Sequence, residues 1–193
     1  TKSLLRRKIL IPFIIAIGFH FTIVIPVVFI FLIVYLGKIK LSAYAAVYFL
    51  TLILSAFNVS ILFVKDYIDI VSLDERRSSY FETDNFSEDY SIGFKPQFVA
   101  FNTVFLLLFF LIDKYVQSTK ESRILLKYYM LSSALFFMVF QLPYSDRWGI
   151  MSWIVIPFLM SPLFSINTSK KFATFAVLYL TFIFIFFQVL IKN

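Results

Sequence analysis

The sequence predicts an all-α, polytopic transmembrane helical bundle of about five full spans, with a possible N-terminal helical hairpin and one long extracytoplasmic loop. Three observations predict it. First, 61% of the 193 residues are hydrophobic, 21% are aromatic (27 Phe) and only 15% are charged, more apolar surface than a soluble domain of this size can hide. Second, several apolar runs are long enough to cross a bilayer, which takes about 20 residues each, and they lack the polar–apolar alternation of a β-barrel. Third, the basic residues gather where these runs end, as topology-setting flanks do. The whole chain, 1–193, reads as one transmembrane domain. It starts at Thr1 with no initiator Met or signal-peptide layout, and so reads as a fragment of a larger polytopic protein.

Residues 2–8 form a basic flank, and 9–36 are apolar, interrupted by Pro12, Gly18, His20 and Pro26. That run is either two short helices meeting near Gly18-Phe19-His20 or one long tilted helix kinked at Pro26. After Gly37-Lys38-Ile39-Lys40 a second span covers about 42–64, and a third covers 97–112, ended by Asp113-Lys114. The fourth runs over about 124–142. Residues 143–149 make a tight turn, and a fifth span follows at about 150–166 with Pro157 and Pro162 inside it. Lys170-Lys171 precede a last apolar run at about 172–190. Asn58 and Asn102, within or beside spans, fit the role of polar glue between helices.

Between the second and third spans lies the long polar stretch, residues 66–96, with eight acids against three bases. Its acids are Asp66, Asp69, Asp74, Glu75, Glu82, Asp84, Glu88 and Asp89. Val64, Tyr67, Ile68 and Val71 recur at helical spacing, which predicts a short amphipathic helix lying on the membrane surface. Placing Lys38, Lys40, the Lys114–Lys127 group and Lys170-Lys171 in the cytoplasm puts the polar stretch and the 143–149 turn on the opposite, outer side. The Asn167-Thr168-Ser169 sequon then falls inside and is discounted.

Composition also excludes functions. The net charge of +7 is dispersed over segment ends, so nucleic acid is not a partner. Without cysteine there are no disulfides, thiolate nucleophiles or Cys metal sites, and one His gives little support for a metal centre. No phosphate-cradling Gly loop, hydrolase elbow or metalloprotease motif is present.

Arg147 stands beside Asp146, Trp148 and Tyr144. These are either an interfacial anchor, with Arg snorkelling and the aromatics at headgroup level, or a guanidinium placed to bind a phosphate or pyrophosphate through its planar fork. Arg76 and Arg77 are either neutralised by Asp74 and Glu75 or form, with Arg147, an outer cluster of guanidiniums suited to an anionic lipid headgroup carrying sugars. Tyr80 lies next to that pair and could stack on or bond to such a group. His20, the lone His, is either a packed side chain or part of a cavity reached from the hairpin apex. Glu82, Asp84, Glu88, Asp89 and Asp146 are the acids available as a general base.

Three pieces of the chain then resemble a known family. Gly18-Phe19-His20-Phe21-Thr22-Ile23-Val24-Ile25-Pro26 resembles a segment of the bacterial polysaccharide repeat-unit polymerases of the Wzy-type O-antigen and EpsG-like exopolysaccharide group. Arg77-Ser78-Ser79-Tyr80, followed by Tyr90 to Lys95, is similar to that family's loop and the lead-in to its next span. Asp146-Arg147-Trp148 with Ser152 to Pro157 is similar to its late helix. The resemblance implies that this is the C-terminal half of a metal-independent membrane glycosyltransferase needing no cofactor. It also implies a substrate, an undecaprenyl-pyrophosphate-linked glycan, polymerised at the outer face of the bacterial inner membrane. Arg77 and Arg147 would hold the pyrophosphate with Arg76 assisting, Tyr80 would orient a sugar or phosphate, and His20 would line the cavity. Asp146, Tyr144 and Trp148 complete the substrate-binding set, with membrane lipid, a chain-length regulator and a flippase as partners. A flippase or transporter of lipid-linked sugars is the alternative, but it should carry polar groups along several spans; a non-catalytic subunit of a membrane complex is a third.

Overall fold

The structure, a computed structural model, describes residues 23–60, 93–116, 119–142 and 145–164, together with 170–171, 174–175, 177–182 and 185. The described residues contain no strand. Among the described residues six α-helices follow one another before residue 165: α1 (Val24–Tyr35), α2 (Leu41–Ala56), α3 (Pro96–Tyr115), α4 (Lys120–Met138), α5 (Asp146–Trp153) and α6 (Ile156–Met160), with a 3-10 turn at Ser161–Phe164. The described parts of 170–185 are helical too.

Local chemistry sets these boundaries. Pro96 opens α3, where its missing N–H costs nothing and its fixed φ suits the first turn. Thr119 caps α4, its hydroxyl oxygen accepting the Ser122 N–H at 3.2 Å. Asn58 closes α2 in the left-handed region at φ 59°, a conformation Asn tolerates. Pro157 stops α5: a helix continuing through it would drive the ring into the Trp153 carbonyl and lose a hydrogen bond. The chain therefore breaks after Trp153 and restarts at Ile156.

Three sequence expectations change here. The span expected at 150–166 is three short pieces, because Pro157 and Pro162 interrupt it. Of the tight turn expected at 143–149, the part from Asp146 to Gly149 is helical and belongs to α5. Asn58 also lies past the end of α2 rather than within a span, where its side-chain oxygen accepts from Gln141 Nε2 at 2.9 Å.

Helix α4 is the centre, packing against α1, α2, α3, α5 and α6. Its adjacent tyrosines reach different neighbours: Tyr128 meets Phe29 of α1 edge-on at 6.4 Å, and Tyr129 meets Phe109 of α3 at 5.1 Å and 90°. Phe137 packs edge-on to Tyr48 of α2 at 5.1 Å. The outer faces of α1 and α2 leave Phe31, Tyr35, Phe49, Leu50 and Ile53 exposed, an apolar surface that suits lipid and would be a liability in water. Among the described residues Pro96–Tyr115 is the helix long and apolar enough to cross a membrane unaided, while α1 and α2 are apolar but shorter. Helix α4 is nearly as long as α3 but holds Ser132, Ser133, Tyr128 and Tyr129 in its buried face. A helix that is central to a bundle can afford polar groups that one facing lipid cannot.

The connections sort into two ends. At one, Lys127 Nζ donates to the Ile39 carbonyl at 2.9 Å and Arg123 Nε donates to Asp113 at 3.2 Å, so the 36–40 and 113–127 segments share that end. At the other, Asn58 meets Gln141, Gly93 N–H donates to the Phe140 carbonyl at 3.0 Å, and Lys95 meets Ser145.

Candidate functional site

Of the residues singled out in the sequence, Asp146, Arg147 and Trp148 are described, and all three occupy the first turn of α5. Arg76, Arg77, Tyr80, His20 and Tyr144 lie outside the described residues, as do the amphipathic helix expected near 64–71, the hairpin apex, the sequon and the acids Glu82, Asp84, Glu88 and Asp89. The structure thus places one guanidinium of the three.

Arg147 is exposed at the second residue of α5, while Asp146 and Trp148 on either side are half-buried. Trp148 packs one part of its ring against the apolar core and leaves the rest accessible. Gly149 then lets α5 approach α4 closely. A Cβ there would sit 2.7 Å from Trp153 Cζ2 and 3.0 Å from two carbons of the Phe136 ring. Trp153 itself lies among Phe98, Phe101 and Phe136, with ring centroids 5.6 to 5.8 Å away.

Beneath this turn is a polar cluster on Asn102, which is fully buried. Its side-chain oxygen receives three hydroxyls at 3.2 Å: Tyr129 and Ser133 from α4, and Ser152 from α5. Tyr129 Oη also donates to the Asn102 carbonyl at 2.9 Å, and the Asn102 amide donates to the Phe98 carbonyl at 2.9 Å. Three helices are thereby tied at one oxygen. In lipid, apolar burial does not by itself drive helices together, so packing and such bonds must hold the register. The glue expected of Asn102 is present.

Lys95 is the residue that reading the sequence passed over as an ordinary loop base. It is 5% exposed, and its Nζ donates to Ser145 Oγ at 2.9 Å, with the Phe98 ring 5.9 Å away. Burial lowers its pKa from the ordinary lysine value, and the Asp146 carboxylate pulls it partly back up. The last residues of the polar stretch are therefore folded into the bundle end: Gly93, at φ +119°, bonds to Phe140, and Phe94 packs edge-on to the Phe140 ring at 6.2 Å. A signal was available in the sequence. A cation immediately before Pro96 stands at the positive end of a helix dipole, where a base is disfavoured.

Chemically, this end combines an exposed guanidinium, a buried ammonium and a carboxylate between them in sequence, on a turn fixed from below. Such a set can receive an anion and hold a proton acceptor near it. Among the described residues no group of three His, Cys, Asp or Glu could hold a metal ion.

A model of the EpsG family matches residues 2–193 of the chain. No curated protein and no solved structure matches it.

Proposed function

The chain belongs to the EpsG family, and on that premise we propose that it polymerises undecaprenyl-pyrophosphate-linked oligosaccharide repeat units into O-antigen, capsule or exopolysaccharide. Membership makes it a membrane protein of polysaccharide biosynthesis with polymerase-type function. The proposal adds the lipid-linked substrate, the outer face of the bacterial inner membrane as the place of reaction, a multi-pass topology of about five spans, and metal-independent chemistry. The observation that carries it is the family match over nearly the whole chain. The exposed Arg147 at the start of α5 supports the role given to the site.

In the proposed step, a hydroxyl of the acceptor repeat unit attacks the anomeric carbon of the donor glycan. The bond from that carbon to the pyrophosphate oxygen breaks, and undecaprenyl pyrophosphate leaves with the electron pair. The hydroxyl proton passes to a carboxylate, for which Glu82, Asp84, Glu88, Asp89 and Asp146 are the candidates. Arg77 and Arg147 hold the pyrophosphate and stabilise the charge growing on it, with Arg76 assisting. Tyr80, Tyr144 and Trp148 orient sugar or phosphate, and His20 lines the cavity. A chain-length regulator and a flippase of the same pathway are the proposed protein partners.

A glycan gel of cells lacking the gene, complemented with wild type or Arg147→Ala, tests this. The expected result is loss of long chains in the Arg147→Ala strain, with single repeat units still exported and the protein still inserted. Arg147→Lys should restore little, because the two-point contact of the guanidinium is lost. Lipid-linked repeats accumulating on the cytoplasmic side would mean a flippase instead, and unchanged glycans would mean a non-catalytic subunit.

A further inference from the structure

Lys95 is placed where elementary electrostatics disfavours it. It is the residue before the first turn of α3, and its ammonium bonds to Ser145, the residue before the first turn of α5. Each helix start carries partial positive charge, which opposes a nearby cation. Burial adds a desolvation cost. A lysine with only a topological role would extend its four-carbon stem and leave its charge in water. Departures of this kind from local preference concentrate at functional positions.

The surroundings say what the arrangement does. Gly93 and Phe94 fasten the segment to Phe140 at the end of α4, and Lys95 then spans to Ser145. Arg147 follows two residues later on the same turn, and the intervening Asp146 carboxylate acts on the Lys95 charge. From below, Ser152 holds the same helix to Asn102. The top of α5 is thus fixed from two directions.

We propose that Lys95 is a positioning residue for Arg147: its buried ammonium, bonded to Ser145, sets the first turn of α5 from which the exposed guanidinium meets the anionic leaving group. The inference rests on the polymerase reading above, since it needs Arg147 to act on that group. Lys95 holds the turn and does not touch substrate.

The test uses the full-length gene in its own deletion strain, with polymer read on glycan gels and membrane-inserted protein read by immunoblot. Lys95→Met should cut polymer by roughly 10²-fold at normal protein level, the scale expected when a reacting group is misplaced by about 1 Å. Lys95→Arg, which keeps the charge and can still donate to Ser145, should recover a measurable part. The decisive readout is epistasis with Arg147→Lys. If Lys95 acts through Arg147, the double variant makes no less polymer than the worse single one, whereas independent effects would multiply. Multiplying losses would overturn the inference, because a general packing defect adds to any other. Normal polymer from Lys95→Met beside a defective Arg147→Ala would also overturn it while leaving the polymerase reading intact. Normal polymer from Arg147→Ala would remove the role given to Arg147, and this inference with it. Should Lys95→Met not accumulate, Ser145→Ala decides: reduced polymer at normal protein level supports the inference, and wild-type polymer ends it.

Discussion

The two ends of the described bundle treat positive charge in opposite ways. At the end holding Ile39 and Asp113, the cations stay near water: Arg123 is 60% exposed where it meets Asp113, and Lys114 lies over the Tyr115 ring at 5.2 Å. Lys127 donates to a backbone carbonyl and sits 5.1 Å above the ring of Tyr44. At the other end a lysine is buried on a serine, next to the turn that carries Arg147. Exposed charges can rearrange with solvent, so they can orient a chain across a membrane without fixing anything to within an ångström. A buried charge cannot relax that way. It is kept only where its partners are fixed, and it fixes them in return.

If that contrast is right, the greatest damage comes from breaking what lies under the Arg147 end. Asn102→Leu fills the space but leaves the hydroxyls of Tyr129, Ser133 and Ser152 without their shared acceptor. Each stranded buried donor costs about 1–3 kcal/mol, although Ser152 keeps its bond to the Gly149 carbonyl and Tyr129 its bond to the backbone of residue 102. The expected outcome is a clear fall in the melting temperature of the detergent-purified protein, with little polymer. A protein as stable as wild type would show that the cluster contributes no more than the exposed pairs at the opposite end.

Gly149→Ala should do less to stability and nearly as much to polymer. The added methyl would meet two aromatic rings, Trp153 and Phe136, that are packed by other rings and have little room to turn. Overpacking of this kind costs about 1–3 kcal/mol, and relief comes from moving α5 away from α4, which carries Arg147 with it. A melting temperature close to wild type combined with lost polymer would sharpen the contrast, separating position from stability. Unchanged polymer would show that the α4–α5 spacing is immaterial to the reaction.

These two positions also mark how far the sequence could be read. The all-helical class was legible, because long apolar runs with basic ends admit few other solutions. The role of Asn102 was legible too, since an amide in an apolar run must find partners. Its partners were not, because Ser133 and Ser152 are 31 and 50 residues away and only the fold brings them to one oxygen. The division of the 150–166 run was foreshadowed by Pro157, yet hydropathy alone read straight through it. Lys95 was hidden for a different reason. A base beside an acid-rich stretch looks like part of that stretch, and burial is a property of the neighbours at Ser145 and Phe140, not of the lysine. Of the residues proposed to touch substrate, Arg147 stands out in the sequence by its company of Asp146 and Trp148, and in the structure the three share a helical turn.

The smallest effect is expected at the end where charge stays exposed. Arg123→Gln removes one member of the Arg123–Asp113 contact, which solvent already screens. Exposed pairs are worth about 0–1 kcal/mol, so the melting temperature should barely move and polymer should remain at wild-type length. Lys114, Lys120 and Lys127 keep the connector basic, so the orientation of the chain should also be retained. The measurement is the same pair used for Gly149→Ala: melting in detergent and a glycan gel, at low and at high salt. A loss as large as that of Gly149→Ala would mean that the Asp113 contact is part of the machinery. The contrast between an orienting end and a positioning end would then have to be abandoned. A near-silent Arg123→Gln beside a damaging Gly149→Ala would locate the demand for exact geometry at the start of α5, where Arg147 stands.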